Sequence, residues 1–211
     1  MDKLTVIFDI DGVIVDSEQL HFDVLRTVAA EQTQHFEPQQ LIGLSLKETL
    51  SHIGIPPEQQ RSVSAQIVET YKAKLAKKYL RPGITELINM LEQQHVPFGF
   101  VSTAPRDVCL ANINLLELLN PIKLIAGNDV KYTKPHPEPY LTMMTQLKAN
   151  INNTIVIEDT DLGISSAYDA GLRRIYAWPH KLSTQQCYHQ ATSIISHLDE
   201  IVDFAELKNQ S

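Results

Sequence analysis

Cysteine is scarce in this 211-residue chain: Cys109 and Cys187 are the only two, far apart and without metal-type spacing. Neither a disulfide framework nor a thiolate metal cluster is indicated, and reduced thiols of a cytoplasmic protein are expected. Basic charge is also in short supply. Eighteen Lys and Arg stand against 25 Asp and Glu, for a net charge of −7. Nucleic-acid and membrane-surface binding need a basic footprint, so both are disfavoured. No run reaches ~18 uninterrupted apolar residues, the length of a membrane span. The short apolar stretch near the N-terminus meets acids at once and has no cleavage-like site, so no signal peptide is expected. Internal repeats and low-complexity segments are lacking too. The remainder is 43% hydrophobic and 20% charged, a globular composition long enough for one domain with an insertion.

What is present is concentrated near the start. Residues 4–8, Leu-Thr-Val-Ile-Phe, form an apolar run that leads into Asp9, with Asp11 and Gly12 close behind. Such a run ahead of a glycine reads as a buried strand ending in a turn. Carboxyl ends of buried parallel strands face the ligand crevice of an open α/β sheet. Two aspartates there repel unless a cation or a proton lies between them. A divalent metal with acid–base chemistry on an anion is the simplest cause. A calcium loop fits poorly, because Ile10, Val13 and Val15 fill ligand positions and Leu20 stands where the twelfth-position Glu belongs.

Further strands are expected over residues 96–102, 122–126, 154–158, 174–178 and 192–196. Helices are expected over 83–94, 105–117, 137–148 and 161–170. The alternation predicts an α/β fold, a doubly wound parallel sheet of Rossmann-like kind. Residues 17–78 break it with three amphipathic helical faces. These are His21, Val24, Leu25 and Val28; then Leu46, Leu50 and Ile53; then Val63, Ile67, Val68, Tyr71 and Leu75. An all-helical insertion over residues 17–80 is therefore expected, with residues 1–16 and 81–211 forming the core. It sits where a lid over the crevice would attach. A helical layer covering one sheet face is the plainer alternative.

Three more sites fall at strand ends: Ser102-Thr103, Lys134-Pro135, and Glu158-Asp159 followed by Thr160 to Gly163. Paired acids, a hydroxyl and an ammonium suit phosphoryl transfer. Each has a plainer reading. Ser102 can be a helix N-cap, Lys134 a solvated loop lysine, and Glu158 and Asp159 helix-start acids.

These segments resemble the haloacid dehalogenase superfamily, in its β-phosphoglucomutase and sugar-phosphate phosphatase branch. Asp9-Ile10-Asp11-Gly12-Val13 is similar to its first motif, Ser102 to the second, Lys134-Pro135 to the third, and Glu158-Asp159-Thr160 through Gly163 to the fourth. The resemblance implies a Mg²⁺-dependent phosphatase of small phosphorylated metabolites, acting through an aspartyl-phosphate. It implies Asp9 as nucleophile and metal ligand, and Asp11 as acid–base residue with its carbonyl on the metal. It also implies Asp159 as a further ligand supported by Glu158, and Ser102 and Lys134 on the phosphoryl group. A raised Asp11 pKa under a closed apolar cap is part of that expectation. Thr103, Arg106, His21 and Lys47 are the candidates for substrate recognition, His21 with a rival role facing the sheet. A monomer acting on a small phosphorylated molecule, with no nucleic-acid or membrane partner, is expected. Mutase-like members carry cations around the Gly-x-Ser segment of the cap. Here Ile42 precedes Gly43-Leu44-Ser45, and Leu46 and Lys47 follow. That departure favours a phosphatase over the alternative, a β-phosphoglucomutase-like phosphomutase.

Overall fold

The computed structural model describes residues 3–41, 44–180 and 186–208. Ile42 and Gly43, which enter the comparison with mutases, lie outside the described residues.

Strand β1, Thr5–Phe8, is buried along its whole length. Its side chains alternate between two cores, as a period of two requires: Val6 and Phe8 join one cluster and Ile7 the other. Strands β2 (Phe98–Val101), β3 (Leu124–Ile125), β4 (Thr154–Glu158), β5 (Arg174–Ala177) and β6 (Ser193–Ile194) complete a six-stranded sheet of order β3-β2-β1-β4-β5-β6. All neighbouring pairs are parallel. The chain builds outward from β1 on one side and then returns to pair β4 with β1 on the other. That places a topological switch point beside the carboxyl end of β1. The expected strand over 192–196 shortens to two exposed residues at the sheet edge, where little burial rewards a longer one.

Of the helices named here, one face of the sheet is covered by α5 (Ile84–Gln93), α6 (Arg106–Asn114) and α9 (Val202–Lys208); α7 (Glu138–Leu147) and α8 (Asp161–Asp169) cover the other. The segment after β1 forms α1 (Glu18–Val28), the short α2 (Ala30–Thr33), α3 (Leu46–His52) and α4 (Pro57–Lys74). These helices hold an apolar cluster of their own, including Leu20, Val24, Leu50, Ile67 and Tyr71, which Val108 of α6 joins. Within α1 the buried residues are Leu20, Phe22, Val24 and Leu25 rather than the expected face through His21. His21 has other neighbours.

The insertion leaves and returns through one point. Val15 bridges Leu80, Asp16 N–H donates to the Tyr79 carbonyl at 2.7 Å, and Arg81 N–H donates to the Ile14 carbonyl at 3.0 Å. The Arg81 guanidinium then ties three loop carbonyls together, those of Gly12, Trp178 and Pro179, while its plane lies 3.6 Å from the Trp178 ring centroid. No helix of the described residues is long and apolar enough to cross a membrane.

Candidate active site

The ends of β1, β2 and β4 deliver Asp9, Ser102 and Glu158-Asp159 to one crevice, and the loop after β3 brings Lys134 up to them. Lys134 is the centre of the charge arrangement. Its Nζ contacts Asp9 Oδ1, lies 2.6 Å from Glu158 Oε1, and donates to the Val101 carbonyl at 3.0 Å. Burial alone would depress this ammonium, but Asp9 and Glu158 hold it well above its ordinary range. Lys134 is thus no solvated loop residue.

Glu158 is fully buried and fully used. Its Oε1 also accepts from the Tyr140 hydroxyl at 3.2 Å. Its Oε2 accepts from Asp159 N–H at 2.9 Å, Thr160 N–H at 3.0 Å and the Thr160 hydroxyl at 3.1 Å. The carboxylate therefore shapes the turn that presents Asp159. The helix cap is neither acid: it is Thr160, whose Oγ1 accepts from Gly163 N–H at 3.1 Å. A Cβ on Gly163 would lie 1.6 Å from Glu158 Oε1, so glycine alone admits the carboxylate there. Gly12 is constrained in the same way, with φ of +85° and Asp159 Oδ2 2.2 Å from where a Cβ would be.

Asp9 and Asp159 are buried at 6% and 1% exposure, and Asp9 Oδ2 and Asp159 Oδ1 receive no hydrogen bond among the described residues. Burial lifts both carboxyls well above their ordinary values, and repulsion from Glu158 adds to it. Two buried carboxylates with oxygens left over fit a divalent cation between them. Among the described residues no three His, Cys, Asp or Glu side chains form a metal-holding group by themselves. Mg²⁺ does not ask for one, since it binds through one or two carboxylates, retained waters and substrate phosphate oxygens.

Asp11 is held differently. Its Oδ1 accepts from the Ser17 hydroxyl at 2.8 Å and Asn112 Nδ2 at 3.3 Å, with His21 Nε2 at 3.2 Å; Ser102 Oγ lies 3.4 Å from Oδ2. Burial pushes this carboxyl up, but the His21, Ser17 and Ser102 bonds and the His21 charge outweigh it and leave it low. The expectation of a raised Asp11 pKa is therefore corrected. His21 moves the opposite way: burial opposes its charge, yet Asp11 raises it.

His21 belongs to a closed ring of contacts. Its imidazole stacks on Tyr71 with centroids 4.2 Å apart, the Tyr71 hydroxyl donates to Asn112 Oδ1 at 2.7 Å, and Asn112 returns to Asp11. Tyr71, Asn112 and His180, whose Nε2 lies 3.2 Å from Asp159 Oδ2, carry no motif signal in the sequence. They sit on helix faces or in loops where core packing would produce the same letters.

Ser102 is not the cap of α6; Pro105 holds that position, and Ser102 Oγ accepts from Ala104 N–H at 3.0 Å while lying near Asp11. Thr103 lines the crevice beside it. Two substrate candidates are not brought there. The Arg106 guanidinium forks onto Asp129, with 3.0 Å from Nε to Oδ1 and 2.6 Å from Nη2 to Oδ2, because Arg106 opens α6 on the side of the β3 loop. Lys47 is exposed and faces a separate outer groove with Val68, Glu69 and Pro105. Arg106→Ala is accordingly expected to lower thermal stability by no more than about 1 kcal/mol, the scale of an exposed ion pair. The ranking of phosphate esters in a turnover screen should not change; a changed ranking would return Arg106 to recognition.

Acids at two strand ends, a hydroxyl at a third, a buried lysine and a crevice under the helices suit an enzyme for anionic esters. A family model described as haloacid dehalogenase-like hydrolase matches residues 6–177. The chain belongs to that family, and it is an enzyme of the phosphatase class. It is 25% identical over 202 residues to the phosphorylated carbohydrates phosphatase of Thermotoga maritima, covering 90% of this chain and 91% of the relative. It is 27% identical to the β-phosphoglucomutase of Bacillus subtilis, covering 79% and 80%. Its fold matches the crystal structure of CbbY from Rhodobacter sphaeroides in complex with phosphate, with a TM-score of 0.80, 21% identity and coverage of 98% and 96%.

Proposed function

We propose that this chain hydrolyses small phosphorylated metabolites, sugar phosphates foremost, through an aspartyl-phosphate on Asp9. One observation carries the reading. Asp9 presents a buried oxygen without a hydrogen-bond donor while Lys134 grips the other. A carboxylate fixed in that way is aimed as a nucleophile. The name of the Thermotoga relative supports the substrate class.

In this reading residues 17–80 are a cap and residues 1–16 with 81–211 the catalytic core. Asp9, Asp159 and the Asp11 carbonyl would hold Mg²⁺, with Glu158 orienting Asp159. When bound, the ion offsets the charge of the phosphoryl oxygens and of the two carboxylates. Ser102 and Lys134 steady the phosphoryl group, and Thr103 lines its approach. Asp11 hands a proton to the leaving oxygen, drawing on the proton it shares with His21, then takes one from the attacking water. His21 thereby serves Asp11 rather than the substrate.

Phosphate release from a panel of sugar phosphates should require no bisphosphate activator. It should stop with EDTA and return with Mg²⁺. Asp159→Ala should raise the Mg²⁺ concentration for half activity, and direct titration of Mg²⁺ binding should show the same weakening. Turnover indifferent to EDTA would remove the metal from the mechanism. Rapid conversion of β-glucose 1-phosphate to glucose 6-phosphate with little phosphate released would favour the mutase instead.

A further inference from the structure

The crevice between the core and helices α1, α3 and α4 is a cavity of about 150 Å³, and its two ends differ in chemistry. The core end carries Asp9, Asp11, Ser102, Lys134 and Asp159. The opposite wall is built largely from apolar side chains, among them Phe22, Leu25, Leu41, Leu44, Ile67 and Val108. Lys134 is the one Lys or Arg among the described lining residues, and Asp9, Glu158 and the Val101 carbonyl hold it at the core end, beside the phosphoryl site rather than the opposite wall. The insertion's nearby cations are turned elsewhere. Lys72 pairs with Asp107 at 2.7 Å, Arg26 reaches the Phe36 carbonyl, and Lys47 faces the outer groove. From Pro38 to Leu46 the chain has no Lys or Arg at any position, and Pro38, Leu41, Leu44, Ser45 and Leu46 of that stretch line the cavity. One acid besides those at the core end, Glu18, lines the same cavity.

We infer that the enzyme takes monophosphate esters of uncharged alcohols with an apolar face toward the cap, and rejects esters whose leaving group carries a second anion. The inference rests on the phosphatase reading above and narrows it. A carboxylate or second phosphate on the leaving group would be buried against leucine and phenylalanine with no lysine or arginine to pair it, His21 already engaged by Asp11, and Glu18 nearby. Burying an unpaired charge is far costlier than burying a neutral group of the same size. Remote parts of a substrate add to the rate only where the site holds partners for them. Here the partners for the leaving group are hydrocarbon.

The test uses the full chain with Mg²⁺ and two ester pairs that differ mainly by one carboxylate: phenyl phosphate with 4-carboxyphenyl phosphate, and glucitol 6-phosphate with 6-phosphogluconate. In each pair kcat/KM should favour the neutral member by about tenfold or more. Leu44→Arg, at a position already 37% exposed, should shrink that ratio several-fold by raising the carboxylate member. Should Leu44→Arg fail to fold, the wild-type ratios still decide. Equal or better turnover of the carboxylate esters overturns the inference while leaving the phosphatase intact. Phosphate release from none of the four overturns the phosphatase reading and this one with it.

Discussion

Asp9→Asn is expected to fold and to lose phosphate-releasing turnover by on the order of a thousandfold or more. The amide is a poor nucleophile and a poor ligand for a hard cation. Folding should not suffer. Burial, and then repulsion from Glu158, Asp159 and Asp11, keep the Asp9 carboxyl well above its ordinary value, with Lys134 working against them. A carboxyl raised in the folded state stabilises the fold below its unfolded pKa and loses that contribution as pH rises through the folded value. Asparagine carries no charge at any pH and is spared that loss. The melting temperature of the metal-free variant should match or exceed that of the parent. Retention of a tenth of wild-type turnover would exclude Asp9 as nucleophile.

Lys134→Met should be the most damaging single change to the fold. It leaves Asp9 and Glu158 facing each other in a buried site without their shared cation, and breaking a buried ion pair from one side costs about 3–5 kcal/mol. The loss has a pH signature. Without the ammonium, Asp9 rises further, so the deficit should be smallest near pH 4 and grow toward neutrality. Denaturant melts of parent and variant at several pH values measure it directly. A deficit that is constant with pH would mean that packing of the lysine stem, rather than its charge, supports the site.

Much of this was readable from letters alone, for identifiable reasons. Strand β4 falls on the expected residues 154–158 because Thr-Ile-Val-Ile is apolar and β-branched and is bounded by turn formers on one side and acids on the other. Asp9, Asp11 and Asp159 announce themselves because charge directly after such a run has no packing excuse. Lys134 is different. A lone lysine in a loop looks like any solvated lysine, and only its place in the motif order singled it out. Arg106 shows the limit from the other side. Its partner Asp129 lies 23 residues away across a strand, and no local pattern reveals that the guanidinium is already engaged. Tyr71 and Asn112 were hidden for a related reason. A tyrosine on an amphipathic face reads as core, which it is, while its hydroxyl does separate work on the partner of an aspartate far away in sequence.

The paired exit and return of the helical insertion has a consequence for descent. Val15 and Leu80 bridge each other, and Arg81 fastens that joint to the loops carrying Gly12 and Trp178. The chain crosses between residues 17–78 and the core only here, but His21 and Tyr71 also reach Asp11 and Asn112 from those helices. A lineage can lengthen or trim the outer turns of that segment through the seam, while exchange of the whole segment would also remove the neighbours of Asp11. The joint leaves the outward helices free to vary, while their inner face stays tied to the loop that carries Asp11.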